Sequence, residues 1–427
     1  MISRTSRLGL LRDHDFRQLF VADTISQIGT QVSAIALPLV AILTLHATPF
    51  EVGTLVTAEF LAFLFVGLPA GAWVDRMRRR NVLIWGDVGR AVLLGSIPVA
   101  WWLDALTMWQ LYVVALFTGV LTVFFDVAYQ SYLPHLVGRD NLIEGNSKLE
   151  AVRSVNQIGG PAAAGLVVQA LTAPFAVALD AVSFLGSALF VGLIRKREEL
   201  PPPSPDRHLG REMMEGLRFV VGNRLLRAIA LTTSSSNLLG SMAQAMLFVL
   251  LAGELGLPAS AIGLLFSVAA IGGLLGALAA RRVANRFGQG RTIWLSLAIA
   301  SPFGLVAPVV QRGWLLVALA IAMGIQWFGT LVYNITQVSF RQGVTPERLL
   351  GRMNATMRFI VWGTLPIGSF LGGVLGQTIG VRPTIWIGLG GACLAFLPAY
   401  LSPLRHMREL PGAVELDEVQ HEKLPVP

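Results

Sequence analysis

Apolar segments of about 20 residues alternate with short polar loops along most of the chain. A segment of this length crosses the hydrocarbon core of a bilayer as an α-helix. The pattern predicts twelve transmembrane helices, which we number in chain order. Their predicted limits are 18–44, 52–73, 82–103, 108–130, 149–171, 174–194, 227–252, 259–280, 292–311, 314–338, 355–378 and 383–402.

The two halves of the chain resemble each other when they are aligned with an offset of 205 residues. The alignment pairs Gly67 with Gly272, Gly71 with Gly276, Trp109 with Trp314, Arg153 with Arg358 and Pro161 with Pro366. Because tryptophan, arginine and proline recur at equivalent depths, we prefer an internal repeat to chance matches. The predicted fold class is all-α integral membrane, with twelve transmembrane helices in two pseudo-symmetric six-helix halves.

Four regions are predicted along the chain. The two six-helix bundles cover residues 1–194 and 227–402. Between them, residues 195–226 form a cytoplasmic connector, in which prolines at 201–203 and 205 end helix 6. Apolar side chains within 211–219 predict a short amphipathic helix on the membrane surface. Residues 403–427 are expected to form a loose cytoplasmic tail.

Composition and charge agree with a membrane protein. The chain is 54% hydrophobic and 14% charged, which is too apolar for a soluble domain of this size. The net charge is +8, and the basic residues lie in every second loop. This distribution places both termini in the cytoplasm. No basic face with interleaved aromatic residues is present, so we expect no nucleic-acid partner. We expect a monomer in the cell (inner or plasma) membrane, surrounded by lipid.

Several kinds of chemistry lack the residues they need. Cys393 is the single cysteine, so no intrachain disulfide or cysteine metal cluster can form. The sequence contains no phosphate-binding loop, no nucleophile elbow and no metal-ligand spacing of histidines. We therefore expect no enzymatic activity, no catalytic residue, no metal and no cofactor.

A basic loop follows the second predicted helix. Residues 71–80 read Gly-Ala-Trp-Val-Asp-Arg-Met-Arg-Arg-Arg. This segment resembles the loop between helices 2 and 3 of the major facilitator superfamily, although Arg78 stands where the family usually has glycine. The matching residues are Gly71, Asp75, Arg76, Arg79 and Arg80. The resemblance implies the major facilitator fold and a gating role for these residues, with Asp75 as a latch on the cytoplasmic side.

Further motifs resemble the subgroup that contains the enterobactin exporter and macrolide efflux proteins. They are Tyr132-Leu-Pro134, Gly159-Gly-Pro161, Asp180-Ala-Val-Ser-Phe184 and Glu215-Gly-Leu-Arg-Phe219. The resemblance implies a secondary transporter that works by alternating access. In this fold the first and fourth helices of each half line a central cavity. Helix 6 is peripheral to that cavity, so we read its Asp180 as structural.

Three acids lie inside predicted helices, where an ionised side chain costs at least ~2.5 kcal/mol at the bilayer centre. They are Asp23, Glu59 and Asp126. A carboxyl group in a poorly hydrated site can exchange protons near neutral pH, so these residues are predicted to couple transport to protons. The alternative for Asp23 and Glu59 is a permanent ion pair with Arg90 or Arg153. The alternative for Asp126 is hydration at the cytoplasmic mouth.

Polar stripes follow predicted helices 1, 4, 7 and 10 at helical spacing. Such faces avoid lipid, and we predict that they contact a substrate. Hydrogen bonding between helices without substrate contact is the alternative. The candidate substrate-binding residues are Gln27, Gln31, Arg90, Thr122, Tyr129, Asn237, Gln244, Gln326, Trp327 and Asn334. For Arg90, a role as the counter-ion of an acid is equally open.

Two arginines are predicted to close an inner gate. Arg153 and Arg358 each precede a helix proline by eight residues. We expect them to pair with acids such as Glu150 or Asp75.

The leading functional prediction is a proton-coupled exporter of small amphipathic molecules, such as a drug, a siderophore or a metabolite. Its partners would be the substrate and protons. One alternative is an uncoupled facilitator or lipid-handling transporter of the same fold. The other alternative is a membrane sensor that transports nothing.

Overall fold

The structure is a computed structural model of the 427-residue chain. It describes residues 9–74, 76–138, 141–196, 198, 209–346 and 349–408. The regular elements in these ranges are helices, and none of the described residues forms a strand. Among the described residues, ten helices are long and apolar enough to cross a membrane. The all-α membrane class predicted from the sequence is therefore confirmed.

The helices are labelled in chain order. Those of the first part of the chain are α1 (His14–Leu39), α2 (Pro49–Phe65), α3 (Gly67–Val74), α4 (Arg79–Trp102), α5 (Met108–Val137), α6 (Leu142–Leu171) and α7 (Ala173–Gly192). Those of the second part are α8 (Leu209–Gly222), α9 (Arg224–Phe248), α10 (Ala259–Phe287), α11 (Gln289–Ala300), α12 (Leu315–Gly343), α13 (Leu350–Trp362), α14 (Thr364–Thr378), α15 (Val381–Ala392) and α16 (Leu397–Tyr400). Two π-helical segments, Val40–Thr44 and Val249–Glu254, continue α1 and α9, and a 3₁₀ segment, Ser301–Val309, continues α11.

Prolines divide two of the predicted spans. Predicted helix 2 consists of α2 and α3, and predicted helix 11 consists of α13 and α14. Pro69 and Pro366 have no N–H to donate to the carbonyl four residues earlier, and those carbonyls belong to Phe65 and Trp362, where α2 and α13 end. The interruptions therefore follow from the missing backbone hydrogen bonds.

The connector helix is longer than the sequence indicated. It was predicted within 211–219 and is observed as α8, Leu209–Gly222, which packs against α13. The proline run at 201–205 and the tail from residue 409 lie outside the described residues.

Basic side chains cap the ends of two membrane helices. Arg80 Nε donates to the Val191 carbonyl at 3.3 Å, and its guanidinium also donates to the Gly192 carbonyl at the end of α7. Lys196 Nζ donates to the His135 carbonyl at 2.7 Å near the end of α5. The last carbonyls of a helix have no partner within the helix, so these contacts satisfy acceptors that apolar surroundings would leave unpaired.

By its internal packing the chain forms two compact units. Unit 1 comprises Met1–Pro205, Gln244–Ser267 and Leu365–Thr384, and unit 2 comprises Asp206–Ala243, Val268–Thr364 and Ile385–Pro427. Unit 1 therefore holds α1 to α7 together with the end of α9, the start of α10 and α14. Each unit has its own buried side chains, such as Phe16, Leu83 and Tyr132 in unit 1 and Leu226, Tyr333 and Phe340 in unit 2.

Within unit 1, helices from both halves of the sequence meet at two pairs of glycines. A Cβ on Gly53 of α2 would lie 2.5 Å from the Cα of Gly373 of α14. A Cβ on Gly263 of α10 would lie 3.1 Å from the Cα of Gly165 of α6 and 2.1 Å from the Pro161 carbonyl oxygen. Each pair of backbones is in direct contact, which any side chain at these positions would prevent.

Two hydroxyl groups join the same helix pairs. Thr57 Oγ1 of α2 lies 3.2 Å from the Pro366 carbonyl oxygen of α14 and 2.7 Å from the Gly53 carbonyl oxygen of its own helix, so its one hydrogen is shared between them. Ser267 of α10 accepts through Oγ from the Ala162 backbone N–H of α6 at 2.9 Å. The two contacts are counterparts in the two halves of the sequence, and each satisfies a backbone group near a helix proline.

The helix boundaries correct the offset of the repeat in this region. α2 begins at Pro49 and α10 at Ala259, so the offset is 210 (259 minus 49), and the same offset relates the starts of α4 and α11. It also relates Gly53 to Gly263 and Thr57 to Ser267. An offset of 205 places Ala280 opposite Asp75, whereas an offset of 210 places Asn285, in the last turn of α10, there.

The close approach at Gly53 predicts a specific loss of stability. Gly53→Ala should lower the free energy of unfolding by about 1–3 kcal/mol, because the added methyl group meets the backbone of α14. The thermal unfolding of the purified protein measures this effect. Gly240→Ala in α9 is the matched control, because a Cβ there has no atom within 4 Å, and it should leave the unfolding temperature unchanged or raise it. Equal unfolding temperatures for the two variants would contradict the prediction.

Candidate functional site

The candidate site lies in unit 1, on the polar stripe of α1. Asp23 is only 9% exposed, and its Oδ2 accepts a hydrogen bond from Gln27 Nε2 at 2.5 Å. The two residues are four positions apart, so they share one face of the helix. Gln31 continues this face and packs on α6, where a Cβ on Gly160 would lie 2.7 Å from Gln31 Cγ. The amide of Gln27 thus holds the carboxyl group of Asp23 in place.

Residues from two neighbouring helices complete the surroundings of Asp23. Tyr129 and Asp126 of α5 and Arg153 of α6 all interact electrostatically with its carboxyl group. The Tyr129 hydroxyl lies beside the Asp23 carboxyl but is buried without a well-formed hydrogen bond to any described residue. The charges of a second acid and of a guanidinium therefore act on Asp23, and the Tyr129 hydroxyl lies beside it. Arg153, which was expected at an inner gate with Glu150 or Asp75, contributes its charge to this group.

Glu59 lies apart from the Asp23 group. Its side chain is exposed on α2, and it is not among the groups that interact with Asp23. Thr122, half-buried, lies one turn before Asp126 on α5. Of the three acids predicted to couple transport to protons, the structure brings together Asp23 and Asp126.

A second charged group is buried among α4, α5 and α7. Asp87 and Arg90 form an ion pair in α4, and they are 0% and 4% exposed. The guanidinium carbon of Arg90 lies 4.3 Å from the ring centroid of Phe125 and 4.1 Å from that of Phe184. Arg90 is therefore the enclosed counter-ion of Asp87. This pair corresponds to the counter-ion role that the sequence left open for Arg90, although the acid is Asp87 and not Asp23 or Glu59.

Asp180 of α7 belongs to the same buried region. It is 1% exposed, and its Oδ1 lies 3.0 Å from Ser183 Oγ. Its carboxyl group also interacts with Ser33 of α1 and with the charges of Arg90 and Asp87.

An aromatic contact joins the two charged groups. The ring of Phe125, which covers Arg90, stacks on the ring of Tyr129 at a centroid distance of 6.0 Å and an angle of 17°. Tyr129 in turn lies beside Asp23. A continuous series of side-chain contacts therefore runs from Arg90 to Asp23.

The sequence analysis missed Asp87 and the two rings around Arg90. A signal for Asp87 was present, because an acid three residues before an arginine shares its face in an apolar helix. Phe125 and Phe184 carried no comparable signal. Aromatic residues are common in membrane helices, and only the packing of α4 against α5 and α7 brings them to the guanidinium.

Polar residues of unit 2 hydrogen-bond between helices. The hydroxyls of Thr233 and Tyr333 join α9 to α12 at 2.5 Å. Asn237 donates through Nδ2 to the Val361 carbonyl of α13 at 3.1 Å. For this part of the stripe on α9 the structure shows the interhelical bonding that the sequence left as an alternative. The second Nδ2 hydrogen and the carbonyl oxygen of the Asn237 side chain can still bond to another group.

The other candidate substrate ligands are less constrained. Gln326 packs against Gly304, whose Cβ would lie 2.8 Å from Nε2. Trp327 is 47% exposed, and Asn334 is half-buried on the same helix, α12. Gln244, in unit 1, is exposed.

The predicted gating residues have diverse surroundings. Arg79 pairs with Glu198 at 3.3 Å, whereas Arg76 is exposed. A Cβ on Gly71 would have no atom within 4 Å. Asp75 lies outside the described residues, so its role as a latch stays a prediction. The guanidinium of Arg358 lies 5.2 Å from the ring centroid of Trp362, where the sequence analysis expected an acid.

The acids and histidines of the structure are spread among separate groups. Within the described ranges, no three histidine, cysteine, aspartate or glutamate side chains are placed to hold a metal ion. The arrangement around Asp23 offers a proton acceptor in low-dielectric surroundings, with hydrogen-bond donors and one cation nearby.

One protein family, and relatives named for one activity, match nearly the whole chain. Residues 5–427 match the sequence profile of the family described as transmembrane secretion effectors. The enterobactin exporter EntS of Shigella dysenteriae is 29% identical over 426 residues, which cover 95% of this chain and 97% of the relative. EntS of Escherichia coli K12 has the same identity and coverage.

Solved structures with low sequence identity share the fold. The nucleoside transporter NupG superposes with a TM-score of 0.70 at 13% identity and covers 90% of this chain and 98% of its own. A bacterial homologue of the iron transporter ferroportin, in an inward-facing state, superposes with a TM-score of 0.70 at 17% identity and covers 92% of this chain and 99% of its own. The family and the fold together show that this chain is a multi-pass membrane transporter of the major facilitator superfamily, in the family of transmembrane secretion effectors, and not an enzyme.

Proposed function

We propose that this protein exports small amphipathic molecules from the cytoplasm in exchange for protons, by alternating access across the cell membrane. The proposal includes twelve transmembrane helices in two six-helix halves, with the arginine-rich loops and both termini in the cytoplasm. The loops that contain residues 45–48 and 255–258 then face outward.

The observation that supports proton coupling is the environment of Asp23. Asp23 lies on an apolar helix, is 9% exposed and accepts a hydrogen bond from the neutral amide of Gln27. Arg153 of α6 and Asp126 of α5 bring charges of opposite sign to this buried carboxyl group. A carboxyl group in such a balance responds to small changes in its surroundings. Movement of α5 or α6 relative to α1 would change its proton affinity, which is what coupling requires.

Export of an amphipathic molecule is supported by the relatives. The relatives with the highest identity reported above are named for the export of enterobactin. The polar stripe on α1 and the exposed indole of Trp327 offer hydrogen-bonding groups and a flat apolar surface. Ligands that combine rings with polar groups fit this chemistry.

The glycine contacts of unit 1 supply an outer gate. Gly53 with Gly373 and Gly165 with Gly263 lie toward the proposed outer ends of their helices. Few side-chain atoms have to be rearranged when such contacts separate, since the contacting surfaces are backbone. Ser267 adds one hydrogen bond between α6 and α10, which contributes about 0.6 kcal/mol to the closed arrangement, and Thr57 places its hydroxyl between the Pro366 and Gly53 carbonyls.

The uncoupled facilitator remains the second candidate. Many proton-driven antiporters of this superfamily carry a basic residue in the fourth transmembrane helix. In this chain that helix is α5, and it has the segment Thr118-Gly119 in the corresponding region. A facilitator would transport substrate without responding to a pH gradient, and a sensor would not transport at all. Proteoliposomes with a panel of compounds that includes enterobactin, tested with and without a pH gradient, separate the three functions.

Asp23→Asn tests the coupling residue, because it keeps the shape of the side chain and removes only its ionisation. Accumulation driven by a pH gradient should fall to the level of protein-free vesicles, whereas substrate exchange at equal pH should persist. Glu59→Gln is the matched control and should retain gradient-driven accumulation, because Glu59 lies outside the Asp23 group. If Asp126→Asn or Glu59→Gln loses accumulation while Asp23→Asn keeps it, the coupling residue is another acid. If all three variants keep it, coupling through these acids is wrong.

Gly165→Ala tests the outer gate. A Cβ at Gly165 would lie 2.3 Å from the Ala259 carbonyl oxygen, so the methyl group should hold α6 and α10 apart. In a Cys393→Ser background, a cysteine placed at Thr30 should then react severalfold faster with a membrane-impermeant maleimide added outside. Gly159→Ala, in the same helix but with no atom within 4 Å, is the control and should leave the rate unchanged. Equal rates in the two variants would mean that this contact does not gate access.

A further inference from the structure

A buried group of charges lies among α1, α4 and α7, away from the polar stripe of α1. It contains two carboxyl groups and one guanidinium: Asp87 and Arg90 of α4 and Asp180 of α7. Their exposed fractions are 0%, 4% and 1%. Arg90 lies eleven residues (90 minus 79) into α4, or about 16 Å along the helix axis, which is close to the middle of a ~30 Å hydrocarbon core.

The charges of this group do not balance if both acids are ionised. Asp180 interacts electrostatically with Arg90 and Asp87, and Asp87 with Arg90. The neutral groups at these carboxyls are hydroxyls: Ser33 on α1 and Ser183 on α7 at Asp180, and Ser187 on α7 at Asp87. The rings of Phe125 and Phe184 lie against Arg90 instead. Within the described part of the chain, one cation therefore faces two acids. An unpaired carboxylate at this depth costs several kcal/mol, and such a group takes up a proton instead.

The hydrogen bonds of Ser183 identify the acid that carries the proton. Ser183 Oγ lies 2.8 Å from the Asp180 backbone carbonyl oxygen and 3.0 Å from Asp180 Oδ1. A serine hydroxyl has one hydrogen, so it can make a full hydrogen bond to only one of these oxygens. Both contacts are satisfied together when Ser183 donates to the carbonyl and a protonated Asp180 donates to Ser183.

Asp87 has a charged partner in Arg90 and a neutral neighbour in Ser187. Its Oδ1 pairs with Arg90, whereas its Oδ2 is buried without a hydrogen-bond partner among the described residues. Arg90 Nε is likewise buried without a partner, because the two aromatic rings cover the faces of the guanidinium. Asp87 is thus the ionised partner of Arg90, and the groups that lie at the Asp180 carboxyl, Ser33 and Ser183, are neutral hydroxyls.

We propose that Asp180 is a proton-binding site, distinct from Asp23, that holds a proton at neutral pH with Ser183 as its hydrogen-bond acceptor. The backbone of α1 covers this site. A Cβ on Gly29 would lie 2.2 Å from Asp180 Oδ1 and 2.0 Å from Ser183 Oγ. The proton can therefore enter or leave only when α1 separates from α7, and α1 is the helix that carries Asp23. The rate of proton exchange at Asp180 therefore depends on how often α1 separates from α7.

Infrared spectroscopy tests the proposal directly. The purified full-length protein is reconstituted in lipid at pH 7, without substrate or gradient, and the carbonyl stretch of protonated carboxyl groups is recorded. Asp180→Asn should remove one protonated-carboxyl band from the spectrum. Asp104→Asn, which changes an exposed acid in a loop, should remove none. The measurement needs no transport, so its outcome is independent of the function proposed above.

Ser183→Ala provides a second test that keeps the acid. It removes the acceptor from the carboxyl O–H, so the band should remain and shift to higher wavenumber. This variant decides the question even if Asp180→Asn fails to fold. If Asp180→Asn leaves the band intact, or Ser183→Ala leaves its position unchanged, the proposal is wrong.

Discussion

The ion pair of Asp87 and Arg90, closed in by the rings of Phe125 and Phe184, is the interaction on which the packing of unit 1 depends. A guanidinium in the hydrocarbon core needs a counter-charge and a surface that excludes lipid. Asp87 supplies the first from the same helix, and the rings of α5 and α7 supply the second through cation–π contacts. Removal of one member of a buried pair leaves the other unpaired, at a cost of about 3–5 kcal/mol. The positions of α4, α5 and α7 are therefore fixed together.

The same contacts connect two acids that the sequence presents as unrelated. Phe125 covers Arg90 on one side and stacks on Tyr129, and Tyr129 lies beside Asp23. On the other side, α1 covers Asp180 with Gly29 and presents Asp23 from its polar stripe. Helix α1 thus carries Asp23 on one face and covers Asp180 with another face. A displacement of α1 changes the surroundings of both carboxyl groups at once, which is a physical basis for linking protonation to conformation.

The arginine-poor ends of the helices are held by a different kind of contact. Gly53 and Gly373 meet backbone to backbone, as do Gly165 and Gly263, with one hydroxyl group between the helices at each pair. Such contacts gain dispersion energy over a small area without side chains that interlock. The π-helical ends of α1 and α9 pack against each other in the same region. These helix ends can separate without any charged side chain losing its hydration.

The amino-acid sequence by itself determined the class of the protein. Segments of about 20 apolar residues have one stable form in lipid, since backbone groups must bond within the segment, and so the helices and most of their limits follow from composition. The loop at residues 71–80 and the acids on α1 and α5 could likewise be recognised from residue type and spacing. A repeat with an offset of 205 was predicted as well, whereas the starts of α2 and α10 and those of α4 and α11 are 210 residues apart, because scattered identities do not fix a register in a chain rich in small residues.

The tertiary structure decided which polar groups meet. Arg90 could equally have been a substrate ligand or a counter-ion by its position in the sequence, and the rings of Phe125 and Phe184 became its neighbours only through helix packing. Asp180 resembled a structural acid on a peripheral helix until Ser183, Ser33 and Gly29 were placed around it. Residues that lie far apart in the chain create these environments, and hydrophobic periodicity identifies the face of each helix that is buried without specifying the helix that covers it.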